Sequence, residues 1–66
     1  MRLMINGEEQ AVAEIGDVAA LVDLLGLDPR KVAVELNLAI VPRSIYGATP
    51  VCEGDRIEIV HFIGGG

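Results

Sequence analysis

The sequence is poor in aromatic residues, in cysteine and in positive charge. Phe62 and Tyr46 are its only aromatic side chains, so its core has to be aliphatic. Cys52 is the only cysteine, which excludes an intrachain disulfide and points to an intracellular setting. Five basic residues face ten acidic ones, a formal charge of −5. Nucleic acids and anionic membrane surfaces call for a basic stripe, and the sequence has none. No apolar run approaches the ~20 residues of a membrane-spanning helix. The apolar run within Met1–Asn6 is too short for a signal peptide. The expectation is a cytoplasmic protein with no nucleic-acid and no membrane partner. The acidic balance either keeps a greasy small domain in solution or steers it toward a basic face of a partner protein.

What the chain does have is aliphatic bulk: 52% of its 66 residues are hydrophobic. That length makes one domain. A chain this short buries roughly 60% of the surface its unfolded form exposes. Little remains from which to build an enclosed active site. A binding, carrier or inhibitor protein fits better than an enzyme.

The pattern along the chain predicts a mixed sheet with one helix across it, an α+β fold. Residues 2 to 5 read as a strand, closed by Asn6-Gly7, a strong two-residue hairpin signal. Residues 10 to 15 return as a second strand. Asp17 is placed to cap a helix, because its carboxylate can accept a free N–H of the first turn. Val18, Leu21, Val22 and Leu25 then form one apolar stripe, and Gly26 marks the helix end. The helix is expected over residues 17 to 25.

Val32 to Leu36 is a third strand and Ala39 to Val41 a short fourth, stopped by Pro42. Asn37-Leu38 joins them as a tight turn; a β-carbon tolerates positive φ poorly, so with Leu38 in place of a glycine another turn type is expected there. Residues 43 to 52 read as irregular, with one helical turn near Ser44 to Gly47. Glu53-Gly54-Asp55 is a turn, and residues 56 to 63 form the last strand, with four to five strands in all. Ile57 and Ile59 share one face of it; Glu58, Val60 and Phe62 share the other. The first and last strands are expected to pair in parallel.

Residues 1 to 63 thus account for the folded domain, and Gly64-Gly65-Gly66 form a tail that folding does not explain. Glycine has the most backbone freedom and no side chain. Three residues reach about 10 Å when extended. A terminal carboxylate on such a cable can enter a partner's site and attack the α-phosphate of ATP. The narrow approach suits a site that must exclude water. The alternative is a frayed chain end without a role.

Several segments together resemble the ThiS family, sulfur carriers of thiamine biosynthesis with the ubiquitin-like β-grasp fold. They are Asn6-Gly7, Val34-Glu35-Leu36-Asn37, Ile40-Val41-Pro42-Arg43, Glu53 to Val60, and the terminal glycines. The resemblance implies that Gly66 is the modified residue, with Gly64 and Gly65 entering partner active sites. It implies three partners: a ThiF-like adenylating enzyme, a sulfur donor such as a cysteine desulfurase, and a ThiG-like thiazole synthase. ATP would be used by the adenylating enzyme, and no cofactor by this chain. The sulfur would be held as a thiocarboxylate on Gly66.

Other readings stay open at this point. The small subunit of molybdopterin synthase also carries a thiocarboxylate, but tends to be longer and to have a proline before its glycines. His61-Phe62-Ile63 has none. A ubiquitin-like modifier or an inert interaction domain would share the same body. No paired carboxylates, metal-ligand spacing or nucleophile–base set stands out, so no catalytic or metal-binding residue is expected of the chain itself. Cys52 reads as a small core residue, since Glu53 and Asp55 disfavour a thiolate. His61 lacks a second histidine and reads as a strand residue near a partner. Val60 and Phe62, facing away from the helix beside the tail, read either as a docking patch or as residues that a bulge or loop covers.

Overall fold

The computed structural model describes residues 1–62. It contains strands β1 (Arg2–Ile5), β2 (Glu8–Ala11), β3 (Val32–Leu36), β4 (Ala39–Val41) and β5 (Arg56–His61), with helix α1 (Val18–Leu24) between β2 and β3. Two 3₁₀ segments, Pro29–Lys31 and Arg43–Ala48, fill the connections. The sheet order is β2-β1-β5-β3-β4. β1 and β5 run parallel, with Met4 beside Arg56 and Ile5 beside Ile57, and the other neighbours are antiparallel. The α+β expectation, the parallel first and last strands and the third and fourth strands all hold.

Local chemistry explains the helix. The Asp17 carboxylate accepts the Ala20 N–H at 2.8 Å, with Asp17 itself extended at φ −150°. At the other end Leu27 N–H donates to Val22 C=O at 3.1 Å and Gly26 N–H to Asp23 C=O at 2.9 Å. These two bonds are a Schellman closure, which needs left-handed backbone just past the helix, and Gly26 supplies φ +73°. The helix therefore spans Val18–Leu24, one residue shorter at each end than expected.

The second strand differs more from expectation. It begins at Glu8 rather than residue 10 and ends at Ala11. Asn6 and Gly7 hold φ of +50° and +81°, a two-residue turn in which pairing resumes at once, Ile5 facing Glu8. Val12 and Ile15, whose apolar character suggests a longer strand, pack against the core from outside it. The last strand ends at His61, and Phe62 follows it with its N–H donated to Lys31 C=O at 2.7 Å.

The core lies between α1 and one sheet face. Val18, Leu21 and Val22 meet Leu3, Ile5, Val32, Val34, Val41 and Ile57. Tyr46 and Val51 close it from the long 42–55 connection. That connection is tied to the helix start by Val18 N–H to Thr49 C=O at 3.0 Å and Val51 N–H to Gly16 C=O at 3.1 Å. Truncating a fully buried residue such as Leu21 to alanine would cost about 2–5 kcal/mol.

Candidate functional site

The tail grows from β5, so what holds β5 fixes its root. β5 lies between β1 and β3 at the centre of the sheet. At its end His61 faces Val32, and the Phe62–Lys31 bond fixes the chain one residue further. Gly64, Gly65 and Gly66 lie outside the described residues, and so does Ile63.

The sheet face turned away from α1 is the second part of the site. Alternation along β5 puts Ile57 in the core and leaves Val60 59% exposed; Phe62 beyond the strand is 48% exposed. Of the two readings left open for them, cover by a bulge or loop does not occur among the described residues. His61 is exposed as well. Beside Val60 the pairing register sets Ala33, and two residues along it sets Glu35 directly opposite Glu58, with Ile40 on the far side of Glu35. Ile40 is 76% exposed. The row Ile40–Glu35–Glu58 thus crosses three strands on the outer face.

Sequence reasoning placed Glu58 with Val60 and Phe62 but missed Ile40 and Glu35 as their neighbours. Only the register brings them together. The joint between β3 and β4 is also unlike its expectation. Asn37 and Leu38 hold φ of +50° and +74°, so this turn has positive φ at both central residues, as at Asn6-Gly7. Leu38 is 77% exposed.

Cys52 is exposed rather than a core residue. Val51 takes the core position, and the neighbouring Cys52 is left outside it. Its N–H is held by the Asp55 carboxylate at 2.8 Å. Among the described residues no polar or charged side chain is buried, and no three His, Cys, Asp or Glu side chains gather as metal ligands. No helix among them is long and apolar enough to cross a membrane.

On the helix side, Val22, Asp23, Leu27, Arg43 and Tyr46 border a half-open cleft of about 380 Å³. Burial pushes the Tyr46 phenol up, and the charge of Arg43 opposes the shift in part. At the start of the Pro29–Lys31 segment, hydrogen bonds from Arg30 hold the Asp28 carboxyl down at about 2. Any stability linked to that group would be present above its unfolded pKa and lost as pH falls through about 2.

Comparison with known proteins gives this geometry its context. The ThiS family model matches residues 3–66. The sulfur carrier protein ThiS of Bacillus subtilis is 39% identical over 67 residues, covering 97% of this chain and 98% of that protein. The crystal structure of a thiamine biosynthesis protein (ThiS) from Geobacter metallireducens superposes with a TM-score of 0.84 at 35% identity, over 100% of both chains. A thiazole synthase of Paramagnetospirillum magneticum is 56% identical over 66 residues, all of this chain but only 20% of that protein. The chain thus spans one fifth of the length of that relative. With a family match over nearly its whole length and a carrier of almost equal length among its relatives, the chain belongs to the ThiS family and has its ubiquitin-like β-grasp fold.

Proposed function

We propose that the chain is a sulfur carrier of thiamine biosynthesis, working in the cytoplasm as a protein co-substrate and not as an enzyme. The observation that carries this reading is the end-to-end match to a ThiS sulfur carrier. The terminal Gly64-Gly65-Gly66 supplies the chemistry. The Gly66 carboxylate attacks the α-phosphate of ATP in a ThiF-like enzyme, and pyrophosphate leaves. The acyl-adenylate then meets sulfur from a donor such as a cysteine desulfurase, and AMP leaves. If the donor is a persulfide, a thiol reduces the remaining sulfur–sulfur bond and leaves a thiocarboxylate. A ThiG-like thiazole synthase takes that sulfur. Similarity to a segment of thiazole synthases supports this last partner. The reaction needs Gly66 to carry a free carboxylate, and no side chain on the last three residues hinders access to it.

Intact mass spectrometry after incubation with ATP, a sulfur donor and the adenylating enzyme tests the reading. One oxygen should exchange for sulfur at Gly66, and a chain lacking Gly66 should show no exchange. Isopeptide adducts to lysines would make it a modifier instead. No change at all would leave an inert domain. Transfer to a molybdopterin precursor but not to thiazole would redirect the pathway. Val60 and Phe62 are proposed to dock the adenylating enzyme. Phe62→Ala should weaken that binding more than it lowers stability, and unchanged binding by a folded variant would remove the docking role.

A further inference from the structure

The outer sheet face has a property that folding alone does not favour. Glu35 and Glu58 stand directly opposite each other across β3 and β5. Like charges in that relation destabilise a sheet. The same face shows what relief looks like: Glu9 on β2 is paired by Arg2 at 2.6 Å. Among the described residues no cation forms an ion pair with Glu35 or Glu58. Arg56 lies two residues before Glu58 on the same face and pairs with neither.

The acidic pair is bordered by apolar side chains that the fold does not use. Ile40 lies next to Glu35, and Val60 two residues past Glu58, both largely exposed. Leu38, two residues before Ile40, keeps a left-handed backbone although its side chain is 77% exposed and packs into no core. Strain held without a packing return suits a side chain used by something else. The chain is acidic overall, which favours approach of a basic surface.

We propose that this face is the seat of the thiazole synthase, which sets an arginine or lysine between Glu35 and Glu58 and apolar side chains against Ile40 and Val60. This inference rests on the thiazole-synthase partner proposed above. Relatives whose polypeptides include both a segment like this chain and a much longer remainder, and which are thiazole synthases, favour that enzyme as the occupant. The cation would relieve a repulsion already present in the free chain, so attraction and relief would act together. Val60, beside the tail root, belongs also to the patch proposed for the adenylating enzyme. The two partners would then use overlapping ground in turn.

The test is an NMR titration of the isotope-labelled chain with a thiazole synthase that lacks any carrier segment. The expected result is amide shifts at Glu35, Ile40, Glu58 and Val60. Glu35→Gln and Glu58→Gln should each weaken binding roughly three- to tenfold and flatten its salt dependence. Neither should lower thermal stability, since each removes a repulsion; a residue with a merely structural role would not combine weaker binding with unchanged or higher stability. Shifts confined to residues past His61 would overturn the proposal, as would unchanged binding by both variants. Shifts on this face caused by the adenylating enzyme but not by the synthase would overturn the choice of occupant. The carrier reading fails on a different readout, the absence of oxygen-to-sulfur exchange in the wild-type chain.

Discussion

The two hairpins of the sheet are built on one plan and differ at one residue. Each turns on an asparagine with φ +50°. Asn6 donates its N–H to Ile57 C=O at 2.9 Å and accepts the Ile59 N–H on its side-chain oxygen at 2.7 Å. Asn37 donates its N–H to Arg56 C=O at 2.7 Å and accepts the Arg56 N–H at 2.9 Å. The central strand is therefore gripped from both sides by turn asparagines. The second turn residue is where they part: Gly7 in one, Leu38 in the other. The grip is structural and common to both. The leucine is not required by the turn, and this separates what holds the fold from what is added to it.

Breaking the common element should have the largest effect. Asn37→Ala loses the bond from Arg56 and a second one, Asn37 Nδ2 to the Asp55 carboxylate at 3.1 Å. It also leaves a β-carbon without local hydrogen bonding in left-handed backbone. At about 1 kcal/mol for each term, the loss is about 2–3 kcal/mol. Asn6→Ala should cost less, about 2 kcal/mol, because the second bond there, Nδ2 to Ile59 C=O, is long at 3.3 Å. Urea denaturation of the two variants checks the order. Equal losses would mean that the Asp55 contact contributes nothing.

This comparison also shows what the sequence can reveal. Asp17, Gly26 and Asn6-Gly7 were legible because each acts within a few residues of itself. The outward facing of Val60 was legible from alternation along one strand, while for Phe62, past the end of that strand, alternation left a covering bulge or loop open. Three features were not. The early start of β2 follows from turn geometry that Val12 and Ile15 mask with their apolar character. Cys52 is exposed because Val51 takes the core position, a choice that composition does not encode. Glu35 meets Glu58 only through the β3–β5 register, which is a tertiary fact. The role given to the tail glycines rests on their lack of side chains and belongs to the proposed function, since they lie outside the described residues.

Making the first hairpin like the second is the next smaller change. Gly7→Leu places a leucine at φ +81°. Nothing lies within 4 Å of the position its β-carbon would take. No clash is added, so the cost is conformational and about 1 kcal/mol. In a domain of this size that lowers Tm by roughly 4–8 °C. A much larger drop would show that the first turn has less room than its geometry indicates. Partner binding should not change, because this leucine stands at the opposite end of the sheet order from β4.

The reverse exchange, Leu38→Gly, should have the smallest effect on stability and is the sharpest test of the difference. Glycine relieves the left-handed strain at φ +74°. It also widens the unfolded ensemble, which cancels part of the gain. The net change should be a gain of about 0.5 kcal/mol or less. Because the side chain is exposed, no core contact is lost with it. A leucine kept for stability would instead show a clear loss. If stability holds or rises while affinity for the thiazole synthase falls, the side chain acts outward, and the two hairpins differ by a contact to a partner. If neither changes, Leu38 is only a tolerated strain, and the docking face ends at Ile40.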